Sequence, residues 1–134
     1  MKTEFSASWI SSSQKRKQRK YRHNAPLHIK KNMMGSHLSP ELRKKHGKRA
    51  AVIRKDDKVR IMRGQFKGLT GKVDRVNIKR QAVFVRGAEA TKKDGTKTFY
   101  PLHPSNLMIL ELNLNDKRRI ESLARGTKEQ KEQK

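Results

Sequence analysis

Three cations stand among three glycines near the middle of this chain: Arg63, Gly64, Lys67, Gly68, Gly71 and Lys72, inside the run from Asp57 to Val73. A glycine has no Cβ, so its backbone approaches a phosphate closely, while Arg and Lys supply the charge that holds it. A glycine-rich turn alone is also an ordinary hairpin turn. Here the three glycines surround Phe66 and lie between two alternating apolar runs, which makes the pattern more specific. A second group is Lys15-Arg16-Lys17-Gln18-Arg19-Lys20-Tyr21-Arg22, with six cations in eight residues. Such a run is expected not to fold on itself. It reads as an arm laid along phosphates, with Tyr21 placed to stack on an unpaired base; a solvated tail or a targeting signal is the alternative. Arg43, Lys44 and Lys45 add a further basic patch.

His103, Ser105 and Asn106 form the third group. A catalytic His103 would need a nucleophile and an orienting acid; Ser105 is close, but no acid is. His103 therefore reads as a loop residue that stacks on or donates to RNA, or as part of a structural turn. No catalytic residue is assigned. The five histidines (His23, His28, His37, His46 and His103) lack the spacing and acidic neighbours of a metal cluster, and cysteine is absent, so neither a metal site nor a cofactor is expected.

The whole chain carries the same sign. Thirty-five Lys and Arg face 12 acids on 134 residues, a net charge of +23. That density costs self-repulsion unless a polyanion neutralises it, and it points to nucleic acid before an acidic membrane. Residues 1–55 hold 16 cations against 2 acids, residues 56–115 hold 12 against 6, and residues 116–134 hold 7 against 4. A strongly basic arm thus precedes a modestly basic middle. Only 32% of residues are hydrophobic, close to the composition of disordered chains. The apolar residues concentrate between Val52 and Leu114, which predicts one small unit over 52–114, marginal alone, with extensions at 1–51 and 115–134 that order on a partner. No run approaches a membrane span, and serines interrupt Phe5, Trp9 and Ile10, so neither a signal peptide nor a membrane partner is expected.

The elements that must position these groups follow from punctuation. Ser39-Pro40-Glu41 predicts a helix start, with Ser39 as cap, and Gly47 its stop, giving about two turns near 40–46. Val59 to Ile61, Val73 to Val76 and Ala82 to Val85 read as strands, Asp94-Gly95 as a turn, and Asn106 to Leu110 as a returning strand after the loop at Pro101 and Pro104. Five short strands in this length suit a mainly β small barrel. Asn115 is placed to cap a last helix with Asp116 in its first turn. Ile120, Leu123 and Ala124 would share its apolar face, Gly126 would end it, and a polar tail would fray to Lys134.

The stretch from Asp57 to Val73 resembles a KOW motif. Further segments resemble, in order, the archaeal and eukaryotic form of one family, the large-subunit ribosomal KOW protein counted twenty-fourth in bacteria and twenty-sixth in eukaryotes. They are Leu38-Ser39-Pro40-Glu41-Leu42-Arg43, Ile53-Arg54-Lys55-Asp56-Asp57-Lys58-Val59, Arg63 to Gly68, His103-Pro104-Ser105-Asn106, and Leu112-Asn113-Leu114 leading into a basic helix over 115–125. The match covers roughly residues 15–125; the Ser-rich residues 1–14, with Trp9, lie outside it. The resemblance implies a five-stranded SH3-like barrel with a basic N-terminal arm and short flanking helices. It implies a non-catalytic protein of the cytoplasmic large ribosomal subunit, bound to the 5′ region of large-subunit ribosomal RNA near the peptide exit tunnel and active in early assembly. Its partners would be that RNA and neighbouring large-subunit proteins, with no small-molecule substrate. A KOW-type transcription-elongation factor is the rival reading, although residues 1–51 lack the length and apolar content of the α/β domain such factors carry. A DNA-compacting protein is permitted by composition alone.

Overall fold

The computed structural model describes residues 5, 6, 8, 9 and 12–132, the last seven through their backbone alone. Eight short strands and four helices account for most of them. Six strands form one mixed sheet in the order β2-β1-β8-β3-β4-β5: β1 (Gly35–Leu38), β2 (Ala50–Val52), β3 (Lys58–Ile61), β4 (Thr70–Asn77), β5 (Ala82–Val85) and β8 (Leu107–Glu111). The remaining two, β6 (Glu89–Thr91) and β7 (Lys97–Phe99), make a separate hairpin. Its tip is the expected Asp94-Gly95 turn. There the Asp94 carboxylate accepts from the Thr96 hydroxyl and N–H, which holds it below the usual carboxylate range, and Gly95 takes φ +81°. The result is mainly β and barrel-like.

Alternation builds the core. In β3, Val59 and Ile61 are buried while Lys58 is half-buried and Arg60 exposed; in β8, Leu107 and Ile109 point inward on the same principle. These four meet Val73, Val83 and Val85, with Leu102 and Ile53 closing the cluster. Met34 and Leu38 are fully buried in it as well, and β1 pairs in parallel with β8 through His37↔Met108 and Leu38↔Ile109. The strands thus begin at Gly35, well before the expected start at 52. The signal was weak because Gly35-Ser36-His37-Leu38 has one large apolar residue. Its Ser36 is nevertheless fully buried, with its hydroxyl donating to the Pro104 carbonyl at 2.9 Å.

The basic run is not extended. Lys15–Asn24 is helix α1 and Leu27–Asn32 is helix α2. Lys, Arg, Gln and Tyr are all compatible with helix, and the run contains neither Gly, Pro nor a β-branched residue. Pro26 separates the two helices, and Lys30 reaches back to donate to the His23 carbonyl at 2.9 Å, satisfying an orphan acceptor of the α1 end.

Helix α3 (Pro40–His46) has the expected ends. The Ser39 hydroxyl accepts from the Leu42 N–H at 3.3 Å, Pro40 opens the helix, and Gly47 closes it in the left-handed region at φ +63°. Helix α4 (Lys117–Glu132) departs from expectation at three points. Its cap is Asp116, whose carboxylate accepts from the Arg118 N–H at 2.9 Å, one residue beyond Asn115. Among its side chains described, those of 117–125, the buried ones are Arg119 and Leu123, while Ile120 and Ala124 are exposed. It also continues through Gly126, because the following Lys, Glu and Gln residues are good helix formers and no proline follows. Of the polar tail, 127–132 are therefore helical, while 133–134 and Ile10 lie outside the described residues.

Candidate nucleic-acid interface

The loop from β3 to β4 spans residues 62–69. It is closed by Gly68 N–H donating to the Ile61 carbonyl at 2.8 Å and Ile61 N–H to the Leu69 carbonyl at 2.9 Å. Gly64 and Gly68 adopt φ +94° and +93°, conformations that an L side chain enters only with strain. No atom would meet a Cβ at either position within 4 Å, so both present open backbone to the outside. Gly71 differs. A Cβ there would lie 2.4 Å from the Arg86 carbonyl oxygen, so this glycine is required by the close approach of β4 to the segment after β5. Phe66 tucks against the core with its ring 5.4 Å from Tyr100, bracing the loop from below. Arg63 and Lys67 are exposed, and among the described residues neither side chain has a hydrogen bond or ion pair. Lys72 is exposed two residues into β4, directly across from Lys58, which is itself paired with Glu111 at 2.6 Å.

A second loop is fastened beside the first. The Met62 N–H donates to the Asn106 carbonyl at 2.8 Å, and the buried Ser36 holds Pro104 from the other side. Within this loop residues 104–106 form one 3-10 turn, capped by His103. The His103 Nδ1 accepts from the Ser105 N–H at 3.3 Å and lies 2.7 Å from the Ser105 hydroxyl. Accepting at Nδ1 places the proton of the neutral ring on Nε2, which leaves an outward donor. His103 thus holds a turn and still presents a polar edge. The structure therefore brings Arg63, Gly64, Lys67 and Gly68 together with His103, Ser105 and Asn106 at one end of the sheet.

The remaining expected residues form separate groups. Lys15, Arg16, Lys17, Arg19, Lys20 and Arg22 lie along α1 with most of their side chains exposed, and Tyr21 is half-buried against Phe5 and Trp9. Lys44 and Lys45 are exposed on α3, whereas the half-buried Arg43 spends its Nε on the Leu38 carbonyl at 2.8 Å.

Sequence reasoning missed a fourth basic surface. A cleft of about 450 Å³ between β2 and α4 is lined by Lys31, Lys48, Arg54, Arg118 and Ser122. Asp116 also lines it, and so does the buried Arg119, which pairs with Asp57 behind the cleft. The guanidinium and carboxylate meet through two bonds of 2.6 and 2.7 Å, and Asp57 also accepts from the Arg54 and Asn113 N–H groups at 2.8 Å each. Lys48 donates to the Ser122 carbonyl, and Arg54 is paired with Asp116, which holds that carboxyl below its usual range. Nearby His46 has its pKa lowered by burial first and by Lys45 and Lys48 next. The partners are 62 residues apart in the Arg119–Asp57 pair. No local spacing announces it; Asp57 beside Asp56 in a chain otherwise so poor in acids was the one available hint.

Among the described residues no cluster of three or more metal-ligating side chains occurs, and no helix is long and apolar enough to cross a membrane. The arrangement offers exposed cations on hydrogen-bonded loops with uncrowded glycine backbone beside them, which suits phosphate. Comparison with known sequences gives a family. Residues 12–126 match the family described as ribosomal proteins L26 (eukaryotic) and L24 (archaeal). A relative from Methanosphaera stadtmanae, the large ribosomal subunit protein uL24, is 46% identical over 114 residues, spanning 85% of this chain and 97% of its own length.

Proposed function

We propose that this chain, which belongs to the family of eukaryotic ribosomal protein L26 and archaeal ribosomal protein L24 and is thereby a protein of the large ribosomal subunit, works by screening phosphate repulsion in large-subunit ribosomal RNA. The observation that carries the reading is the pairing of two rigid loops at one end of the sheet, where Arg63 and Lys67 lack any acidic partner among the described residues. Folding RNA brings its own phosphates together, and a braced protein with cations on several faces bridges segments that otherwise repel. Gly64 and Gly68 leave the loop surface uncrowded for a phosphate's approach, α1 supplies a rod of cations, and the β2–α4 cleft supplies another contact line. Following the family resemblance, the site is the 5′ region of the RNA near the exit tunnel, the step is early assembly, and the protein acts in the cytoplasm without catalysis. Neighbouring large-subunit proteins are further partners; a membrane and a small-molecule substrate are not.

Binding of the full chain to large-subunit RNA transcripts across a salt series tests this. With about ten cations on phosphate, affinity falls by roughly seven to nine decades for a tenfold rise in salt. Failure to bind such transcripts at low salt overturns the reading. Sedimentation of cell extracts separates the rivals: cofractionation with large ribosomal particles supports it, and cofractionation with polymerase or nucleoid supports the elongation-factor or DNA-compacting alternative.

A further inference from the structure

Phe5, Ser6, Ser8 and Trp9 lie outside the stretch that the family match covers, yet they are folded onto the first helix. A hydrogen bond joins Ser6 to Trp9, the Trp9 N–H donating to the Ser6 carbonyl at 3.3 Å. It brings Phe5 and Trp9 against Tyr21, with ring centroids 4.9 and 5.5 Å from the Tyr21 ring and planes tilted by 38° and 39°. The three rings wall an open cup of about 500 Å³, within the range of small-ligand sites. Ser6, Ser8, Lys17 and Lys20 complete its lining. Lys17 falls one helical turn before Tyr21, at the i, i+4 spacing that puts two side chains on one face, and Lys20 lies one turn from Lys17 at i, i+3.

From this geometry we propose that the cup is a binding site for an unpaired RNA base, with Lys17 and Lys20 on the flanking phosphates. The proposal rests on the RNA-binding reading above and adds a single-stranded site to it. Aromatic cups take two common kinds of guest. A methylated or quaternary ammonium uses the negative ring faces, but two ammonium groups in the same wall repel it. A nucleobase stacks on the same faces and brings its own anionic linkage, which the two lysines attract. The charge of the wall therefore selects the nucleotide. Stacking is indifferent to which base is presented, so the site reads unpairedness rather than sequence.

Trp9 is the only tryptophan of the chain, so its emission reports on this cup alone. The test uses the full chain with a short oligoadenylate and with a blunt RNA duplex of matched phosphate number. Binding is followed by polarisation of a label on the RNA and, in parallel, by Trp9 emission. The oligoadenylate is expected to change Trp9 emission on binding, while the duplex binds without doing so. Tyr21→Ala is expected to weaken the oligoadenylate by about tenfold or more and leave the duplex within about twofold, with Tyr21→Phe restoring the wild-type value. The proposal is overturned if both RNAs shift the emission equally, if the oligoadenylate binds with the emission unmoved, or if Tyr21→Ala weakens both RNAs alike. Should neither RNA bind, the phosphate-screening reading itself fails and the base site falls with it.

Discussion

Two arginine sites in this protein have opposite surroundings. Arg119 is 6% exposed and gives both terminal nitrogens to Asp57, with the Val52 and Asn113 carbonyls taking further bonds. Arg63 stands exposed on a glycine-rich loop, with no acid or carbonyl holding its side chain among the described residues. One cation ties the last helix to the sheet, and the other waits for an anion from outside. In a chain carrying 35 basic residues, the count of cations therefore says little about which of them bind RNA. What separates them is whether the fold has already satisfied the charge.

The sharpest way to break this contrast is to remove the buried partner. Arg119→Met leaves the Asp57 carboxylate uncompensated at 0% exposure and is expected to destabilise the fold by about 3–5 kcal/mol, read by thermal or denaturant unfolding. Asp57→Asn combined with Arg119→Met should recover much of that loss, since no charge then remains buried. If the single variant unfolds like wild type, the pair is not the fastening between α4 and the sheet.

The glycines repeat the contrast on a smaller scale. Gly71→Ala drives a Cβ into the Arg86 carbonyl at 2.4 Å, a backbone atom that cannot swing aside, and is expected to cost about 1–3 kcal/mol. It should leave the salt dependence of RNA binding unchanged in the fraction that remains folded. A Gly71→Ala variant with full stability and a shallower salt slope would return this residue to the interface.

Arg63→Ala with Lys67→Ala should do the reverse. These side chains make no hydrogen bond or ion pair that the fold needs, so stability is expected to stay within about 0.5 kcal/mol. Removing two phosphate contacts lowers the slope of log affinity against log salt by roughly 1.8. An unchanged slope would take this loop out of the interface and leave the β2–α4 cleft and α1 to carry binding.

What could be read in advance follows the same division. Ser39, Pro40 and Gly47 marked the ends of α3, and Asp94-Gly95 marked the hairpin tip, because caps and turns are local chemistry. The alternation in β3 announced part of the core for the same reason, while β8 was legible only as an apolar run. The Lys15 to Arg22 run misled, since its charge suggested an arm that would not fold on itself while its residue types favour helix. The Asp57–Arg119 pair and the burial of Ser36 against Pro104 were out of reach. Each joins residues far apart in the chain, 62 and 68 positions respectively, and only the folded sheet makes them neighbours. The same long-range fastening brings the 62–69 and 103–106 loops together, so their residues were legible one by one and their convergence was not.

The finest distinction between satisfied and waiting cations can be drawn through a titrating neighbour. His46 lies beside Lys45 and Lys48, and its pKa falls below the usual 6.5 through burial and then through these two charges. Because the folded value is the depressed one, the unfolded chain takes up the proton more readily. Stability from this group is complete above about pH 6.5 and declines as pH falls through the folded pKa, a slope that His46→Gln should remove in unfolding experiments. Lys48 already donates to Ser122, yet that carbonyl carries no charge, so the lysine still repels a protonated His46. A phosphate seated on Lys45 and Lys48 would cancel that repulsion and raise the His46 pKa. RNA binding just below about pH 6.5 should then take up protons, measured by calorimetry in two buffers of different ionisation enthalpy. The His46→Gln variant should lose that uptake. If wild type and variant release the same heat difference between buffers, no phosphate sits on these two lysines, and the contact line runs elsewhere on the basic surface.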